Sequence, residues 1–281
     1  MDGTRPPAVA GSYYPSAADK LSELIADCFD TNPLGPKGIR SPSSTVIAGM
    51  VPHAGYVYSG PCAAHFYASL DKSIRRVIVL GVNHWARGHR AALSPWDSWQ
   101  TPSGDVRVDS TLNDLLEGWV QFLTRNDSAH AQEHSIEVQL PLLQRVLEDF
   151  SFLPISLSRV DLEECAELGA AIAKACTAEA ASGRKTCILA SSDLSHYLSP
   201  SKTEELDRLA LEQVNALDPA GLLTVVDAKK ISMCGVLPTA VMLYAAKALG
   251  ATQARLLKHC HSGDVAPMTK VVGYASVTIE L

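Results

Sequence analysis

No two cysteines in this chain have CxxC spacing. The seven present, Cys28, Cys62, Cys165, Cys176, Cys187, Cys234 and Cys260, are odd in number and scattered. A disulfide framework and a zinc ribbon are therefore not expected, and most of the thiols should be small buried hydrophobes. No cluster of Lys and Arg stands out. Formal charge is −6, from 30 acidic and 24 basic residues, which argues against nucleic acid and anionic membrane as partners. Long apolar runs are missing too: Val236 to Ala246 is too short to span a bilayer and carries Pro238. The stretch Met1 to Pro7 lacks the apolar core of a signal peptide, so a soluble, cytoplasmic protein is expected. There is no glycine-rich phosphate loop, and Gly81-Val82-Asn83-His84 is no dinucleotide fingerprint. No internal repeat, low-complexity tract or linker divides the chain.

What the chain does have is a series of buried-strand patterns that end in polar groups. With 281 residues, 47% of them hydrophobic, it can bury a sizeable core. The run 45–51 is rich in β-formers and stops at Pro52, which cannot donate a ladder hydrogen bond. His53 follows at once, then a helix expected from Pro61 to Leu70. The run 76–82 delivers Asn83-His84, and the run 185–192 delivers Asp193-Leu194-Ser195-His196. Strand, helix, strand is a βαβ unit, so the first two strands should be parallel with their tips on one edge. Ligands bind at that edge in open α/β sheets.

Other elements fill in around these. Helices are expected from about Ser16, over 110–120 and over 161–181, then at 203–216, 219–227 and 237–249. The segment from Ala129 should be helical through Phe150, which puts His134 and Glu137 on one face, and Glu133 with Glu137 likewise. Strands are expected at 151–157, 254–260 and 270–280, with a turn-rich loop at 30–44 and an irregular excursion at 88–108. Trp96 and Trp99 in that excursion should be partly buried. His259 and His261 alternate on a strand and should be satisfied structural histidines. The whole, 1–281, is expected as one α/β domain with a mostly parallel central sheet flanked by helices.

Four elements thus end in His53, His84, Asp193/His196 and Cys234. Two imidazoles and a thiolate suit iron, copper or zinc. Asp193 and His196 are placed to orient ligands or move protons. Cys234 precedes Gly235 and an apolar helix, where a helix amino terminus lowers a thiol pKa. A hydrolase with Cys234 as nucleophile and His196 as base is another reading, but no nucleophile elbow is present.

The stretches Ala10-Gly11-Ser12-Tyr13-Tyr14-Pro15, Pro52-His53-Ala54-Gly55-Tyr56-Val57-Tyr58-Ser59-Gly60, Leu80-Gly81-Val82-Asn83-His84, Glu133-His134-Ser135-Ile136-Glu137, Ser191-Ser192-Asp193-Leu194-Ser195-His196 and Cys234-Gly235 occur in that order. Together they resemble the Memo family (mediator of cell motility), which includes AmmeMemoRadiSam system protein B. The resemblance covers nearly the whole chain. It implies the fold of class III extradiol dioxygenases, which are non-haem iron enzymes. It implies His53, His84 and Cys234 as metal ligands, and Asp193, His196, His134 and Glu137 as candidate catalytic groups beside them. Divalent iron or copper(I) is the expected ion, and zinc also suits the donors. Radical-SAM and AMMECR-type proteins are the partners it implies. Two departures stand out: Val82 replaces the family's usual Pro, and Cys234 stands where the dioxygenases have a carboxylate, so ring cleavage does not carry over. Two functions follow as expectations. One is an iron- or copper-dependent redox protein. The other is a binding module that reads a peptide or phosphopeptide in the same pocket.

Overall fold

The computed structural model describes residues 3–180 and 183–281. In chain order the strands are β1 (Thr4–Arg5), β2 (Val46–Val51), β3 (Ile74–Val82), β4 (Ala91–Leu93), β5 (Ser98–Thr101), β6 (Gly104–Val108), β7 (Thr124–Arg125), β8 (Ser151–Leu157), β9 (Lys185–Ser191), β10 (His196–Leu198), β11 (Gln253–His261) and β12 (Val271–Glu280). The helices are α1 (Ala18–Ala26), α2 (Tyr56–Tyr67), α3 (Ser110–Trp119), α4 (Leu140–Val146), α5 (Leu162–Ala180), α6 (Pro200–Asn215), α7 (Pro219–Lys229) and α8 (Val236–Ala248).

All the strands join one sheet, whose main path runs β1-β5-β6-β8-β3-β9-β2-β12-β10. The neighbours β6, β8, β3, β9 and β2 are parallel; β12 pairs antiparallel with β2, β10 and β11. This matches the expected α/β architecture and puts the carboxyl ends of β2, β3 and β9 on one edge.

Period-two alternation builds two cores, one on each face of the sheet. Met50, Ile78, Leu80, Ile155 and Ile188 face α5 and α8, while Val51, Val77, Val79, Phe152 and Leu189 face α2 and α4. Both sets are buried, as expected when helices cover both faces of a parallel sheet. Helix ends follow their capping signals. Ser199 accepts from the Lys202 N–H with Pro200 at the first helical position, and Asp218 does the same for the Gly221 N–H ahead of Pro219.

Three local expectations need correction. Helix α2 starts at Tyr56, so Pro61 lies inside it and offers no N–H to the carbonyl of Val57, itself an exposed residue. The segment from Ala129 is not one long helix: turns lead to a short 3₁₀ turn, Glu137–Gln139, and only then to α4. Helix α5 matches the expected one, whose end at 181 falls outside the described residues. In the 88–108 excursion there are three short strands, and Trp99 is wholly buried between Arg5, His130 and Phe152.

Candidate metal centre

The tips of β2, β3 and β9 converge on a cavity of about 580 Å³ lined by His53, His84, His134, Asp193, His196 and Cys234, with Tyr13, Tyr58 and Tyr197 among its other walls. Six of the seven candidate site residues are therefore together. The seventh, Glu137, is not. Its carboxylate points away and accepts from Arg5 Nη1 at 2.6 Å, Tyr14 OH at 2.6 Å and the N–H groups of Ala8 and Val9. Both charged side chains are fully buried. Glu137 ties the amino-terminal segment down and is not among the residues that line the cavity.

His53 is the most constrained group. Its backbone N–H donates to Asp193 Oδ1 at 2.8 Å, which fixes the turn after Pro52. Its Nδ1 lies 2.9 Å from Ser191 Oγ. Ser191 Oγ donates to the Ser135 carbonyl at 2.6 Å and accepts from Gln139 Nε2 at 2.8 Å. The hydroxyl proton is thus committed, so His53 Nδ1 carries its own proton and donates. That leaves a lone pair on Nε2, facing the cavity. Burial, reinforced by His84, pushes the His53 pKa down to about 3, so the ring is neutral at physiological pH.

His84 and His134 are organised by one carboxylate. Glu133 accepts from the His84 N–H and from His84 Nδ1, both at 2.8 Å, and from the N–H groups of His134 and Ser135. Burial works against ionisation of Glu133, but these donors outweigh it and hold its pKa down to about 2. With Nδ1 of His84 donating to a carboxylate, its Nε2 also presents a lone pair, the arrangement metal-ligating histidines share. Burial and His53 lower the His134 pKa to about 4. The His84 and His134 rings stack at 4.6 Å, and His53 meets both edge-on at 5.2 and 5.3 Å. One ring nitrogen from each lies within 4.8 Å of the others, so the three could hold a metal ion.

Cys234 joins this group through His53: its Sγ lies 3.1 Å from His53 Nε2. Gly235 makes the approach feasible. A Cβ there would meet Ser191 O at 2.5 Å and Ser192 Cβ at 2.4 Å, so only glycine lets the α8 entry pack on the tip of β9. The expected lowering of the thiol pKa is reversed. Burial and the Asp193 carboxylate raise it well above the ordinary range, outweighing the helix terminus and backbone donors. Asp193 is itself buried, which raises its pKa. His196 donates from Nδ1 to the Ser232 carbonyl at 2.8 Å, so its Nε2 is unprotonated when the ring is neutral.

The supports of these rings carry little signal in the sequence. Ser191 and Gln139 set the His53 tautomer, and Glu133 orients two histidines. Only Glu133 carried a signal, its position directly before His134. The structural histidines were read correctly for His259, which bonds Asp207 at 2.9 Å.

Donor atoms gathered at the carboxyl edge of a largely parallel sheet define an α/β protein with three histidines that could hold a metal ion. The chain belongs to the Memo family: residues 5–278 match the family model described as Memo-like protein. It is 42% identical over 287 residues to a MEMO1 family protein of Ignicoccus hospitalis, covering 99% of each chain. It is 40% identical over 280 residues to one of Methanopyrus kandleri, covering 97% of this chain and 98% of the other. Among solved structures it resembles an uncharacterized protein of Escherichia coli K12 at TM-score 0.56, over 83% of this chain and 99% of that one. Identity there is 12%, so that likeness concerns the fold alone.

Proposed function

We propose that this chain is a metal-binding redox protein holding iron or copper between His53, His84 and His134, with the Cys234 thiolate as a further ligand. The observation that carries this reading is the convergence of three imidazole rings, two of them with Nδ1 tied to a fixed acceptor, leaving Nε2 for an ion. The donor set fits such an ion: imidazoles suit iron, copper and zinc, and a thiolate favours copper(I), zinc or iron. When bound, the ion would supply one-electron chemistry to whatever occupies the cavity. The chain's own groups do the rest. Asp193, whose burial raises its pKa, stands beside Cys234 as a proton-handling group. His196 accepts or returns one at Nε2. Tyr13 and Tyr197 bound the space for a ligand.

The competing reading, a phosphopeptide module, is weakened by the walls of the cavity. Among the described residues that line it there is no Lys or Arg, and Asp193 lies within. Anion recognition wants guanidinium groups. The test is metal content after anaerobic purification, for wild type and for His84→Ala. Near-stoichiometric iron or copper in wild type, lost in His84→Ala, supports the reading. Equal, trace metal in both overturns it.

A further inference from the structure

Several arginines distant in sequence are gathered at the opposite edge of the sheet. Strands β6, β8, β3 and β9 lie side by side there. Arg107 on β6 pairs in register with Ser151 at the start of β8, as does Arg76 on β3. Arg75 precedes Arg76, and Arg184 immediately precedes β9. Three strand spacings separate β6 from β9, about 14 Å. Flexible arginine side chains can converge on one ligand across that span.

Two adjoining cavities occupy this edge. One, of about 480 Å³, is lined by Arg107, Arg125, Arg184, Trp96, Ser110 and Asn113, among others. The second, of about 310 Å³, shares Arg107, Ser151 and Arg184 and adds Arg75. The carboxylates nearby, Asp97 in the larger cavity and Asp149 in the smaller among them, offset these charges only in part. Asp109 is already paired with buried Arg76 at 2.7 Å, and Arg125 is committed to Asp114 and Glu117. Asp97 is exposed and accepts the Gly3 N–H. Arg107 meets Asp149 only at 3.3 Å, with both side chains exposed, a pairing worth little. Arg184 has no carboxylate partner among the described residues.

A second, independent feature points to a ligand. Asn113 lines the larger cavity and is 4% exposed. Its Nδ2 donates to the Ser94 carbonyl at 2.9 Å, but its Oδ1 is buried with no hydrogen-bond partner among the described residues. Such an orphan is costly unless something donates to it. A fully deprotonated anion cannot do so.

We propose that this edge is a second ligand site, separate from the histidine cavity, for a small phosphorylated molecule that also carries hydroxyl or N–H donors. Arg107 and Arg184 would take the phosphoryl oxygens, Asn113 Oδ1 a donor from the rest of the ligand, and the Trp96 indole a planar group. Guanidinium forks match phosphate geometry, which is why arginine rather than lysine suits the role.

The test is a tryptophan-fluorescence and calorimetric titration of the full chain, with chelator present, using inorganic phosphate and AMP as probes. AMP should bind more tightly than phosphate. Arg107→Ala/Arg184→Ala should weaken both probes at least tenfold. Arg208→Ala/Arg255→Ala, which removes the same charge from exposed positions elsewhere, should change binding less than twofold. Asn113→Leu should weaken AMP more than phosphate. Failure of wild type to bind either probe, equal weakening in the two arginine pairs, or tighter binding of a mixed-sequence oligonucleotide than of AMP would overturn the proposal.

Discussion

Glu133 and Glu137 stand four residues apart and are equally buried, yet they do unrelated work. Glu137 meets Arg5, a cation that never loses its charge, and closes a structural cluster with Tyr14 and two backbone donors. Glu133 meets imidazoles and the backbone that carries them. Neither spacing nor burial separates the two. The partner does: a permanent cation makes a clamp, and imidazole rings make a group that could hold a metal ion.

The largest expected effect breaks the clamp. Glu137→Ala leaves Arg5 charged and unpaired in the interior, which costs about 3–5 kcal/mol. Urea denaturation of the metal-free protein should show it, whereas a change below about 1 kcal/mol, the worth of an exposed pair, would place Glu137 among surface charges. The same substitution should not alter ion affinity in the fraction that remains folded.

Glu133→Gln sharpens the contrast from the other side. It is nearly isosteric, so the fold should persist. Loss of the carboxylate behind His84 should weaken ion binding about 10–100-fold. Competition titration with a chromophoric chelator measures this. Unchanged affinity would mean that Glu133, like Glu137, only holds backbone together.

Acid should act on the Glu133 side. Unfolded histidines titrate near about pH 6.5. Folded His53 and His134 titrate at about 3 and about 4 because burial disfavours their charged forms. Between about pH 6.5 and 4 the unfolded chain therefore binds protons that these rings refuse. Metal-free stability should fall as pH falls through that window, by about 1.4 kcal/mol per pH unit for each ring fully in it. His134→Gln should shallow the slope of denaturation midpoint against pH; an identical slope would show that His134 does not contribute.

The smallest effect concerns Cys234. The two rings stay neutral to well below pH 6, so they give ion affinity little pH dependence from pH 8 to 6. A thiol with a raised pKa must release its proton to ligate, so affinity should fall about tenfold per pH unit if Cys234 is a ligand. Cys234→Ser should then bind more weakly and with a flatter profile. Equal profiles in wild type and variant would remove Cys234 from the ligand set.

Much of this was legible beforehand. The β2, β3 and β9 runs are continuous apolar stretches, and topology alone carries their tips to one edge. The Glu133–Glu137 segment was misread because helical spacing looked sound, while tertiary bonds to His84 and Arg5 pull its two carboxylates in different directions. The Cys234 thiol was misjudged because a helix terminus can be seen in sequence and the Asp193 charge beside it cannot. The Arg107–Arg184 wall was invisible because strands far apart in sequence are neighbours in the sheet.

The span of the histidine site has a consequence for how the protein is made. His53 leaves the ribosome long before Cys234, and β9, which carries Ser191 and Asp193, lies between β2 and β3 in the sheet. A nascent chain that has produced all three histidines still lacks the strand that aligns the first two. Any ion held by the three histidines would therefore be captured only after β9 (Lys185–Ser191) has been made.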